Sequence, residues 1–70
     1  DRLLGLHERL DAAHRMFAAA ARVLRPGGEL WTVYNSHLRH KSALARTVGP
    51  TTMVRQDPKF TVTRSVRQER

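Results

Sequence analysis

The stretch Leu24-Arg25-Pro26-Gly27-Gly28-Glu29-Leu30-Trp31-Thr32-Val33-Tyr34 decides how the chain is to be read. Proline disfavours helical geometry at Arg25, and Gly27 or Gly28 can take the positive φ of a tight helix exit. Glu29 to Tyr34 is rich in aromatic and β-branched side chains and carries little charge, which predicts a strand buried on both faces. A helix that leaves through such a turn into a buried strand is the second half of a βαβ unit. The two strands of that unit are parallel, so the helix is their crossover.

Upstream, Leu6, Leu10, Ala13, Phe17, Ala20 and Leu24 recur at spacings of three and four, placing them on one face of a helix from Leu6 to Leu24. Alanines at 18–21 reinforce it, alanine being the strongest helix former. Downstream, Asn35-Ser36 interrupts the strand, and Ser36 is a good N-cap for a helix from His37 to Arg46. Leu38, Ala45 and Val48 would be its apolar stripe, and Gly49-Pro50 its stop. Thr51 to Arg55 predicts a strand, Asp57-Pro58 a turn, and Phe60 to Val66 a final alternating strand. Phe60, Val62 and Val66 share the apolar face of that strand, with Arg64 as the exception. Arg67 to Arg70 is expected to fray. The order helix, strand, helix, strand, strand makes the chain α/β. It reads as the carboxyl end of an open sheet whose preceding parallel strand lies outside these 70 residues, so that 1–70 is a partial domain. A first residue of Asp1 rather than Met points to a processed chain or a fragment of something longer.

Seventy residues hold one small domain at most, and a domain of that size is marginal without an extra staple. The absence of cysteine excludes a disulfide framework and any thiolate metal site. No apolar run approaches the ~18 residues that cross a bilayer, and no membrane partner is expected. Thirteen Lys and Arg against six Asp and Glu leave a net charge of +7, almost all of it arginine. Such a balance suits a polyanionic partner, nucleic acid first. A solvated basic surface accounts for it as well, because the cations are spread along the chain rather than run together.

His7, Asp11 and His14 share one helix face and form a legitimate metal set by residue type. Spread over about two helical turns, they are too far apart to converge on one ion unaided. His37 and His40 lack a third ligand at useful spacing and read as two surface or loop histidines. Ser36, Ser42 and Ser65 lack the context of a nucleophile elbow. Gly27-Gly28 ends a helix and opens a strand, the reverse of a phosphate-cradling loop. The arginines of the first helix give it the look of a membrane-surface segment, but core packing is the simpler use of its apolar face. No complete active site is present among these residues.

From Arg22 to Leu30 the run Arg-Val-Leu-Arg-Pro-Gly-Gly-Glu-Leu resembles the class I S-adenosylmethionine-dependent methyltransferases, where a helix ends in such a turn and enters the fifth strand of a Rossmann-like sheet. Ala13-His14-Arg15-Met16-Phe17, Asn35-Ser36-His37-Leu38, Gly49 and Lys59-Phe60-Thr61-Val62 look like one subgroup, the ribosomal RNA guanine-N2 methyltransferases of the "methyltransferase small" type. The similarity runs from about Leu10 to Arg67 and covers only the last part of that family's catalytic domain. It implies that the strands are the fifth, sixth and seventh, the last antiparallel and inserted between the other two. His40 stands where the subgroup has an aromatic residue.

The resemblance implies a cytoplasmic enzyme that passes a methyl group from S-adenosylmethionine to a guanine amino group of ribosomal RNA. It places no catalytic and no cofactor-binding residue on this chain. The family's Gly-rich loop, its ribose-holding acid and its Asn-Pro-Pro-aromatic motif are all absent here. What it leaves is a substrate edge. Asn35, His37 and Leu38 follow the carboxyl end of a parallel strand, where open α/β sheets bind ligands, although turn formation and packing would explain them too. Arg39, Lys41, Arg46 and Lys59 are the cations expected to meet RNA phosphates there. The expected partners are ribosomal RNA, the missing amino-terminal part of the domain and, through the unpaired edge of the 29–34 strand, a second copy of the chain. A non-catalytic RNA-binding module and a functionless fragment are the alternatives.

Overall fold

The computed structural model describes the backbone of residues 2–68 and the side chains of residues 12–68. It consists of α1 (Arg2–Val23), β1 (Glu29–Asn35), α2 (His40–Thr47), β2 (Thr51–Gln56) and β3 (Phe60–Val66). The sheet order is β1-β3-β2, with β3 antiparallel to both neighbours. Because each outer strand opposes β3, β1 and β2 run parallel to each other. The inserted last strand is the topology that the resemblance implied.

The α1 exit is built as its residues dictate. The Leu24 amide still reaches Ala20, Gly27 takes φ +84°, and the Gly28 amide closes a turn on Arg25. A Cβ on Gly28 would stand 2.9 Å from the Arg25 carbonyl oxygen, so the turn fits only glycine without adjustment. Arg67, expected to fray, is instead paired with this turn. Its amide donates to Gly28 and its carbonyl accepts from Gly27, while its guanidinium reaches the Ala21 carbonyl at the end of α1. Gln68 is tied to Val48, and Glu69 and Arg70 lie outside the described residues.

The core is small. Phe17 and Ala21 from α1 meet Ala43, Leu44 and Val48 from α2 and its exit, flanked by Ala13, Leu24, Leu30 and Tyr34. Of the predicted α1 face, Leu6 and Leu10 have side chains outside the described set, and Phe17 is the deepest anchor. The second helix begins at His40 rather than His37, and Ser36 does not cap it. Arg39 occupies the cap position without a side-chain bond. Starting three residues later rotates the stripe, so that His40, Ala43, Leu44 and Val48 are buried while Ala45 is exposed and Leu38 sits in the preceding loop, half-buried. Gly49 ends the segment at φ +151°, where a Cβ would fall on the Val66 carbonyl oxygen.

Two expectations about the strands are corrected. Glu29 to Tyr34 is not buried on both faces. Exposure alternates along it, with Trp31 and Val33 open at 55% and 67%. On β3 the buried face is not Phe60, Val62 and Val66 but Thr61, Thr63 and Ser65, each at most 1% exposed. The reason lies in what flanks β3. Thr63 Oγ1 meets Thr32 Oγ1 at 2.7 Å, Thr61 meets Ser36 at 2.9 Å and Gln56 at 3.1 Å, and Ser65 meets Thr51 at 2.9 Å. Burial of hydroxyls costs little when each has a partner, and their small size lets Leu44 and Val48 pack close.

His40 is buried as well, not at the surface. Its ring lies 5.0 Å from that of Tyr34, 5.4 Å from Phe17 and 5.9 Å from His14, in edge-on arrangements. Burial pushes the His40 imidazole below its ordinary value, and neighbouring His14 pushes it the same way. No helix among the described residues is long and apolar enough to cross a membrane.

Thr63→Val should lower stability by about 1–2 kcal/mol, because it leaves Thr32 without its partner, whereas Thr32→Val with Thr63→Val should recover part of the loss. Urea denaturation of the two variants checks this. With the folded pKa of His40 below the unfolded value near 6.5, the unfolded chain binds the extra proton first. Stability should therefore fall as pH drops below 6.5 and level off once the folded form is also protonated. His14 on α1 and Tyr34 on β1 are the titratable groups facing it, and His40→Phe should flatten the profile of denaturation midpoint against pH between 7 and 5.

Candidate functional site

Because β1 and β2 are parallel, their carboxyl ends, Asn35 and Gln56, reach the same edge of the sheet, and α2 starts just beyond β1. Between them lies a cleft of about 360 Å³ lined by Tyr34, Ser36, Leu38, Arg39, Lys41, Ser42, Met53, Gln56 and Thr61. The loop 36–39 that forms one wall is held at several points. The Ser36 amide donates to the Lys59 carbonyl at 2.9 Å, its hydroxyl donates to the Asp57 carbonyl at 2.7 Å, and the Leu38 amide donates to Asn35 at 2.9 Å. The opposite wall is Met53 and Gln56 of β2 with Thr61 of β3, and the β2–β3 turn braces it from outside the cleft. In that turn Asp57 Oδ1 accepts the amides of Phe60 at 2.7 Å and Lys59 at 2.8 Å, bonds that hold its carboxyl below the usual carboxylate range. Ser36 is thus a strut between two loops rather than a helix cap.

Of the seven residues expected on this edge, Leu38, Arg39 and Lys41 line the cleft. Asn35 closes β1 and accepts the His37 amide on Oδ1 at 3.3 Å, while the His37 side chain is exposed. Lys59 belongs to the bracing turn, and Arg46 lies in the last turn of α2; neither lines the cleft. Tyr34, Ser42 and Gln56 were not expected. From the sequence Tyr34 reads only as the end of a buried strand, and a strand boundary at Arg55 leaves Gln56 out. Burial raises the Tyr34 phenol above its ordinary value, a backbone hydrogen bond with Lys41 working the other way.

A second cavity of about 340 Å³ runs between α1 and β1, walled by Met16, Phe17, Trp31, Val33, Tyr34 and His40. Its lining is mostly apolar and aromatic, with the His40 imidazole among the side chains that face it. Among the described residues no three His, Cys, Asp or Glu side chains converge. Of the His7, Asp11, His14 set, only His14 has a described side chain, and it stacks toward His40.

The described residues do not make a site for S-adenosylmethionine. The glycine pair ends a helix and opens a strand, the reverse of a phosphate cradle, and a Cβ on Gly28 would crowd the Arg25 carbonyl oxygen while Gly27 faces open space. Asp57 follows the carboxyl end of β2, but its Oδ1 is engaged by two amides of its own turn. Glu29 lies at the amino end of β1, bonded to Trp31 and 3.3 Å from Arg64.

The family described as "Methyltransferase small domain" matches residues 4–64. The proteins named "Ribosomal RNA large subunit methyltransferase G" of Streptomyces coelicolor and Streptomyces griseus are each 50% identical over 56 residues, and that of Stutzerimonas stutzeri is 46% identical over 55. The alignment with the Streptomyces coelicolor protein covers 80% of this chain and 15% of that protein. The chain therefore spans about 15% of the length of the curated relatives it matches. With nearly all of its helix-to-final-strand order inside the match, the chain belongs to the methyltransferase small domain family.

Proposed function

We propose that the chain is the carboxyl-terminal part of a cytoplasmic methyltransferase that uses S-adenosylmethionine to methylate a guanine N2 of ribosomal RNA. The observation that carries this reading is the identity of half the aligned residues with a relative named a ribosomal RNA methyltransferase. In such a reaction the exocyclic amine forms the new N–C bond, the sulfonium bond breaks, and the amine loses one proton. The residues described here take no part in that step. Their contribution is to hold the RNA at the carboxyl ends of β1 and β2, with Asn35, His37 and Leu38 shaping the edge and Arg39, Lys41, Arg46 and Lys59 meeting phosphates.

The amino-terminal part of the domain is proposed to supply the cofactor site and a strand beside β1. Two features support this. Among the described residues β1 is paired on one side only, and the sheet face bearing Trp31, Val33 and Phe60 is open. Without that part, the same edge and face would draw in a second copy of the chain.

Two measurements test this reading. Titration of the 70-residue chain with S-adenosylmethionine should show no saturable heat at micromolar cofactor; a single saturable site would overturn the assignment of cofactor binding to the other part. In the complete protein, reversing Arg39, Lys41, Arg46 and Lys59 to Glu should weaken RNA binding similarly for all sequences. With each phosphate contact on a single strand contributing about 0.7 to the slope of log K against log salt, the slope should flatten by roughly 3. An unchanged slope would place the RNA elsewhere.

A further inference from the structure

The proposed RNA reading leaves open whether this edge is a diffuse basic surface or a built site. We propose that the cleft between the 36–39 loop, the start of α2 and the end of β2 is a subsite for one nucleotide of a single-stranded RNA, its phosphate held by Arg39 and Lys41 and its base by Gln56. This rests on the RNA reading and goes beyond it by assigning a pocket, a ligand unit and a reader.

The cleft's size comes first. At about 360 Å³ it lies at the small end of ligand sites, suited to a single nucleotide rather than a duplex or a helix. Charge comes second. Arg39 and Lys41 are exposed at its rim, and among the described residues neither meets a carboxylate. Two uncompensated cations beside one concave site suit a phosphodiester, the guanidinium as a planar fork and the ammonium as a point charge.

The third observation points past an inorganic anion. The Gln56 amide nitrogen donates to Thr61 Oγ1 at 3.1 Å, and Thr61 is 1% exposed and also bonded to Ser36. The amide is therefore anchored by a buried hydroxyl while its carbonyl oxygen and second N–H stay available, an acceptor and a donor side by side. Such a pair matches the edge of a nucleobase, and holding it in place beforehand reduces the ordering cost on binding. Leu38, Met53 and Tyr34 provide apolar and aromatic wall for the flat face of the base.

The test uses the complete protein and a short, labelled, single-stranded RNA at low salt, with binding read by fluorescence anisotropy. Arg39→Gln with Lys41→Gln and, on the exposed side of α1, Arg15→Gln with Arg22→Gln remove the same charge. The rim pair should lose about tenfold in affinity and the distant pair no more than about threefold. Amide NMR titrations then separate the ligand sources. A nucleoside 5′-monophosphate should shift Gln56, Thr61 and Ser42 saturably, inorganic phosphate should shift only residues 39–42, and Gln56→Met should remove the difference. Equal losses for the two pairs, or identical responses to phosphate and nucleotide, would overturn the subsite while leaving the RNA reading intact. An acidic peptide competing as well as RNA would overturn it too. Absence of any RNA binding by the complete parent protein, with a folded spectrum, would remove the RNA reading and the subsite with it.

Discussion

The row of buried hydroxyls on β3 is the constraint on which the rest of the structure depends. Thr61, Thr63 and Ser65 are buried on β3, which α2 contacts, and they are bonded sideways, to the β1 side through Thr32 and Ser36 and to the β2 side through Thr51 and Gln56. A central strand with bulky side chains here would lift α2 away and open the small core around Leu44. With hydroxyls, no buried side-chain nitrogen or oxygen among the described residues is left without a partner. The same bonds fix the register of three strands, since the Thr32–Thr63 pair is also a ladder pair.

From that register the site follows. Antiparallel pairing of β3 with both neighbours makes β1 and β2 parallel and brings Tyr34 and Gln56 to one edge. Thr61 serves the ladder and the cleft at once, because its hydroxyl joins the Ser36 strut to the Gln56 amide. The opposite consequence is an outward sheet face on which Trp31, Val33 and Phe60 are half-exposed or more. Glu29 and Arg64 form the ion pair on that face, which orients Trp31 through its indole N–H but covers little of it. A face of this kind is the surface a larger domain would cover.

The candidate site was partly legible. Leu38, Arg39 and Lys41 were read from their position after a strand end, and they do line a cleft. Arg46 and Lys59 share their charge but not their place, because charge alone carries no information on which side of a helix or turn a residue falls. Gln56 was missed because it ends β2, a boundary that alternation of residue types leaves open by one position. From the sequence His40 reads as a surface or loop residue, although its aromatic neighbours come from α1 and β1, some 6 to 26 positions away in the chain.

The amino-acid sequence by itself determined the elements whose signals are local. The Pro-Gly-Gly exit, the alanine-rich helix, the β-branched strands and the Asp-Pro turn each depend on the φ preferences or packing of a few neighbouring residues. Their order, together with the family resemblance, was enough to anticipate the inserted last strand. What only the tertiary structure decided was which face of each element is inside. On β3 the apolar residues alternate with hydroxyls, and hydrophobicity alone would bury Phe60, Val62 and Val66. The hydroxyls went inside because partners on two neighbouring strands satisfy them there, and those partners come from distant parts of the chain. The start of α2 was decided in the same way. Ser36 had a local use as a cap and a non-local one as a strut between loops, and the non-local bonds to Asp57 and Thr61 are the ones that formed.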